Sequence, residues 1–132
     1  FSKQLWMLRP KIQELAAWWA ATAGAIDVRE VHPETSFSLM VGAPIGPSKR
    51  TGEGLAARRA ALARAGIVVP DDVGLGRRLV AADDVVDAAA VAWSARRVAA
   101  GTARSFPDPP VMLDGNADPD GDGRRRVQAV WA

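Results

Sequence analysis

Three helical patterns, each closed by a glycine, occupy most of the middle of this chain and leave little room for a sheet. The first enters at Pro33-Glu34, which fit an opening helical turn, runs through Phe37, Leu39 and Met40, and stops at Gly42. The second is capped by Thr51 and reaches Ala65, with Gly66 past its end and Arg58, Arg59 and Arg64 along it. The third starts near Asp83-Asp84 and continues to Gly101. Upstream, Leu5, Leu8, Ile12, Leu15 and Trp19 recur at spacings of three and four, the signature of a further amphipathic helix with Ser2 as its cap. Pro10 interrupts that pattern, so a kink is expected, or two helices of which the second runs from about Lys11 to Ala23 before Gly24. Trp6, Trp18 and Trp19 beside these leucines read as core or interface packing rather than as a base-stacking platform.

One segment reads clearly as a strand. From Ile26 to Val31 the side chains alternate, placing Ile26, Val28, Glu30 and His32 on one face and Asp27, Arg29 and Val31 on the other. Glu30 therefore follows two aliphatic residues at the point where Pro33 turns the chain into a helix. The link from Ala43 to Arg50 is turn-rich, and Ile67-Val68-Val69 reads as a short apolar lead into the loop at Pro70. The tail changes character at Phe106-Pro107-Asp108-Pro109-Pro110 and offers a short strand at Arg126 to Trp131.

With 132 residues, 48% of them hydrophobic, the chain from 1 to 132 is expected to be a single domain with a modest core. The 17 basic and 15 acidic residues give a net charge of +2, too balanced to argue for a nucleic-acid partner on charge alone. The absence of cysteine removes disulfides and thiolate zinc sites and suits a cytoplasmic, reducing location. No apolar run approaches a membrane span, and no signal peptide is visible.

Elimination narrows the chemistry. His32 is the sole histidine and there is no G-x-S-x-G elbow, which argues against a serine hydrolase. Gly74-Leu75-Gly76 lacks the strand and the following glycines or lysine of a phosphate-cradling loop. Asp118-Pro119-Asp120-Gly121-Asp122-Gly123 imitates a calcium loop, but its twelfth position is Ala129 rather than a bidentate glutamate. Arg124 to Arg126 read as a solvated basic turn. What remains is carboxylates: Glu30, Asp84 and Asp87 offer hard oxygen ligands for Mg²⁺ or Mn²⁺ if the fold gathers them. Paired ions of that kind activate water and stabilise the leaving oxygen in phosphodiester hydrolysis. At 3.6 residues per turn, Asp84 and Asp87 share a side with Ala88, Val91, Ala95 and Val98, while Trp93 points the other way. Asp84 also reads as an N-cap, contributing about 0.5–2 kcal/mol, and capping does not exclude a second role.

Taken in order, Ser2-Lys3-Gln4, Lys11-Ile12 with Glu14, Glu30-Val31-His32-Pro33-Glu34 with Ser36-Phe37, Gly42, Ser48-Lys49, Gly54, Arg59, Gly66-Ile67, Asp84-Val85-Val86-Asp87-Ala88 with Ala92-Trp93 and Ala95, and Ala129-Val130-Trp131 resemble the C-terminal part of the family catalogued as domain of unknown function 429. The resemblance implies an α/β fold of RNase H-like type and a predicted metal-dependent nuclease. It matches Glu30 to the family's strand carboxylate and Asp87 to its helix carboxylate, with Asp84 at an additional acidic position. It assigns His32, Lys49 and Arg59 to substrate binding or site support, although Arg59 reads equally as a structural salt bridge and Lys49 as a solvated loop charge. The family's N-terminal half, including its aspartate-bearing opening strand, is not matched. The chain alone is thus expected to be mainly helical with one or two short strands, inactive, and prone to form a homodimer or domain swap through an exposed strand edge. The alternatives are a non-catalytic binding or assembly module on the same scaffold, and nucleic-acid binding without chemistry through the arginines.

Overall fold

A computed structural model of the chain describes residues 3–22, 25–70, 80–113 and 126–132. Helix α1 spans Lys3–Ala21, strand β1 Glu30–Val31, α2 Pro33–Val41, α3 Gly52–Arg64, α4 Ala82–Ala99, β2 Ser105–Leu113 and β3 Arg126–Trp131. The fold is a mixed α/β arrangement. Among the described residues, no helix is long and apolar enough to cross a membrane.

Local chemistry sets the ends of α2 and α3 where the sequence predicts them. Pro33 opens α2 and Gly42 closes it at φ 80°. The Thr51 hydroxyl accepts from the Gly54 amide at 3.1 Å, capping α3. Past its end, Gly66 at φ 82° lets its own amide reach Ala63 O and the Ile67 amide reach Leu62 O at 2.9 Å, which satisfies two otherwise orphaned carbonyls.

α2, α3 and α4 pack against one another around Phe37, Ala61, Leu62, Val86 and Ala90, with Met40, Ile45, Leu55, Ile67, Val69 and Ala89 at the margin. Burying side chains such as Phe37 and Leu62 is worth about 1.5–3 kcal/mol each. The face that α4 buries is Val86, Ala90, Trp93 and Ser94. The expected stripe through Ala88, Val91, Ala95 and Val98 is corrected: Ala88 and Ala95 are exposed, because α2 and α3 lie on the neighbouring face. The cap is corrected as well. α4 begins at Ala82 after Ala81, leaving Asp83 and Asp84 inside its first turn, where their charge favours the helix N-terminus.

Three further expectations change. α1 runs as one helix through Pro10 rather than as two. Of the two packing roles expected for the tryptophans, core or interface, the core role is corrected for Trp6 and Trp18, which are 66% and 46% exposed among the described residues, while Trp19 is half-buried. The expected strand from Ile26 is reduced to Glu30–Val31. Pro33 ends it on one side, and on the other the Ile26 carbonyl accepts from Trp19 Nε1 at 3.1 Å instead of joining a ladder. The Ser2 cap, the Gly24 stop, Gly74 to Gly76, Asp118 to Gly123 and Arg124-Arg125 lie outside the described residues.

The sheet has the order β1-β3-β2, with three strands where one or two were expected. β1 pairs parallel with β3, Glu30 opposite Val130 and Val31 opposite Trp131. β2 pairs antiparallel with β3, and the register shifts between Phe106 and Val111. The shift falls on Pro107, Pro109 and Pro110, which cannot donate to a ladder and are tolerated because β2 is an outer strand. That is why the proline-rich stretch does not read as a strand from sequence.

Candidate functional site

The loop before α3 is held from two directions. Ser48 O accepts from the Thr51 amide at 3.0 Å and from the Thr51 hydroxyl at 2.8 Å. Pro47 O accepts from Arg58 Nη1 at 3.0 Å. Gly54 lets the helix approach this loop: a Cβ there would stand 2.0 Å from Ser48 O. Arg58 is 3% exposed, gives Nη1 to Gly54 O as well, and grips Glu34 of α2 through Nε at 3.0 Å and Nη2 at 2.8 Å. Such a fork-to-carboxylate pair fixes orientation as well as charge.

From this anchored loop Lys49 extends to α4, and its ammonium donates to Asp87 Oδ2 at 2.6 Å. The two side chains are 36% and 19% exposed, so the pair is partly shielded from water. The hydrogen bond to Asp87 raises the Lys49 amine above the ordinary lysine value against the opposing effect of burial, and the charges of Asp87, Asp83 and Glu34 add to the rise. The other oxygen, Asp87 Oδ1, is buried with no hydrogen-bond partner among the described residues.

Of the residues expected at a site, Lys49 and Asp87 are brought into contact. Glu30 is exposed at β1, and Asp84 is exposed on the first turn of α4. His32 is exposed at the N-cap of α2, where it makes no side-chain cap bond. Arg59 is half-buried on α3, next to Arg58. Among the described residues, no three histidine, cysteine, aspartate or glutamate side chains gather in a group that could hold a metal. Sequence reasoning missed Arg58 and Glu34 as partners, since they lie 24 residues apart on separate helices. The one available signal was Glu34 and Arg58 as opposite charges on helices whose apolar residues both feed the core.

A cleft of about 390 Å³ opens beside the pair, lined by Lys49, Arg50, Thr51, Gly52, Leu55, Ala82 and Asp83. It lies where α3 and α4 both begin, and its lining includes two cations, Lys49 and Arg50, and one carboxylate, Asp83. A group carrying both an anionic and a cationic part suits such a lining.

A family model described as "Protein of unknown function (DUF429)" matches residues 1–111. No curated protein matches the chain, and no solved structure does.

Proposed function

We propose, from the premise that this chain belongs to the DUF429 family of proteins of unknown function, that it is the C-terminal part of an RNase H-like domain that hydrolyses phosphodiesters. The observation that carries this reading is Asp87, with Oδ2 on Lys49 and Oδ1 buried and unpaired among the described residues. An acceptor left unsatisfied inside a fold costs about 1–3 kcal/mol, and a catalytic role or a bound ion is among the explanations such a group has in native proteins. The cleft beside it brings Lys49 and Arg50 to neutralise a phosphate, next to the carboxylate of Asp83.

An RNase H-like phosphodiesterase would draw on Mg²⁺ or Mn²⁺, with Glu30, Asp84 and Asp87 as partial ligands. The described residues do not by themselves fit a metal centre, because no three suitable side chains gather. No step is therefore assigned to a metal ion. This chain's own residues hold phosphate charge at Lys49 and Arg50 and present a carboxylate at Asp87, and on this reading protein outside the chain completes the site.

The test is cleavage of DNA and RNA by the full-length product of the encoding gene, with Mg²⁺ or Mn²⁺ supplied. Cleavage that disappears in Glu30→Ala and Asp87→Ala supports the reading, and an inert full-length product ends it. A second reading, a non-catalytic binding or assembly module, draws on α1, where Trp6, Met7, Leu8, Ile12, Leu15 and Trp18 are all exposed. Ion binding separates the two: a binding module takes up Mn²⁺ no better than its Asp87→Ala variant.

A further inference from the structure

We infer that Arg58 is a positioning residue for the Lys49–Asp87 pair: its buried guanidinium locks the loop that carries Lys49 onto α2 and α3 and so sets where the amine stands. The inference rests on the reading of that pair as functional. Its physical content is independent of any activity.

The geometry is that of a single planar group satisfied on three sides. Nε and Nη2 take both oxygens of Glu34, at 3.0 and 2.8 Å, and Nη1 takes Pro47 O and Gly54 O, each at 3.0 Å. Pro47 lies two residues before Lys49, and the carbonyl between them, Ser48 O, is already held by Thr51. With both preceding carbonyls fixed, the Lys49 backbone has little freedom, and the side chain begins within reach of α4. An ammonium cannot replace the fork. It lacks the planar arrangement that meets a carboxylate edge-on while serving two carbonyls. Nor is Arg58 a surface charge that could be lost at little cost, because 3% exposure leaves water unable to substitute for its partners.

A purely structural arginine would stabilise the helix packing and leave the environment of Lys49 alone once the protein is folded. A positioning arginine changes that environment. Lys49 faces Asp87 and Asp83 from α4 and Glu34 from α2, and its short hydrogen bond, 2.6 Å, is to Asp87.

Three lysines in the sequence make this measurable by NMR of selectively labelled lysine side chains, read as the position of the Lys49 ammonium signal at one neutral pH. The comparison is wild type, Arg58→Lys and Arg58→Gln, with Asp87→Asn as the reference for an amine that has lost its partner. All four are measured in the same excluded osmolyte, so that weakened variants remain folded. The expected result is a Lys49 signal that moves from its wild-type position toward that of the Asp87→Asn reference in both Arg58 variants. A Lys49 signal unchanged from wild type in either folded variant would overturn the inference. Because no substrate is involved, this outcome is separate from a failure of the phosphodiesterase reading, which is decided by cleavage.

Discussion

The Lys49 ammonium lies 2.6 Å from Asp87 Oδ2, joining the loop before α3 to the second turn of α4 across 38 residues of sequence. The two partners are not equally free. Lys49, 36% exposed, can turn to water if its partner is lost, whereas Asp87, 19% exposed, already has one oxygen unpaired. Lys49→Met is therefore expected to cost about 2 kcal/mol, since it strands a carboxylate. Asp87→Asn should cost about 1 kcal/mol or less, because the exposed amine is screened by solvent. Urea denaturation of both variants checks the order, and a costlier Asp87→Asn would contradict it.

The raised Lys49 amine ties stability to alkaline pH. Its hydrogen bond to Asp87 favours the protonated form, so the folded chain holds this proton more tightly than the unfolded chain does. The contribution is fully present below the ordinary lysine value and is lost as pH rises through the higher folded value. Wild type should thus lose more stability than Lys49→Met on moving from neutral pH into that alkaline window. Denaturation midpoints at a series of pH values test the difference, and parallel curves would show that the pair contributes no such linkage.

Much of the helical architecture is legible in the sequence because it is written in local chemistry. Pro33 and Gly42 bound α2, and Thr51 and Gly66 bound α3, each through a backbone requirement that only a few residue types meet. Asp87 is legible as a candidate ligand from its place among the carboxylates, and Lys49 as a candidate site residue only through resemblance to a family. Their contact is not, because a loop and a helix far apart in sequence meet only through the packing of α2, α3 and α4. Arg58 was masked by its neighbour: Arg59 carries the family match, yet Arg58 faces Glu34. β2 was missed since Pro107, Pro109 and Pro110 mimic a linker, and only its outer position makes them acceptable in a sheet.

A buried hydroxyl pair offers a second measurable link between helices. Ser36 of α2 and Ser94 of α4 are both fully buried, with their Oγ atoms 2.8 Å apart. Ser94→Ala leaves Ser36 with only a 3.5 Å contact to His32 O, while Ser36→Ala leaves Ser94 its 3.3 Å bond to Ala90 O. Ser94→Ala is expected to cost about 1–2 kcal/mol and Ser36→Ala somewhat less, by about half a kcal/mol. The double variant should cost less than the two combined, by about 0.5–1 kcal/mol, since neither hydroxyl is then left unpaired. A double-mutant cycle from thermal or urea unfolding measures this coupling, and strict additivity would mean that the hydroxyls do not support one another.

Gly54 sets two opposing effects against each other. Alanine in place of glycine in a helix ordinarily gains about 0.5–1 kcal/mol of backbone entropy. Here the added Cβ would meet Ser48 O at 2.0 Å, Ser48 C at 2.6 Å and Pro47 O at 2.9 Å, all backbone atoms of the loop that carries Lys49. No flexible side-chain end can give way, so either α3 or the loop must move, at a cost of about 1–3 kcal/mol or more. The clash should win, making Gly54→Ala less stable than wild type. Because the same carbonyls are those held by Arg58 and Thr51, the shift should also draw Lys49 from Asp87 and lower its titration. Unfolding midpoints and the Lys49 side-chain NMR signal read the two effects in one sample, and a stabilised Gly54→Ala with an unchanged Lys49 would show that the loop does not depend on this close approach.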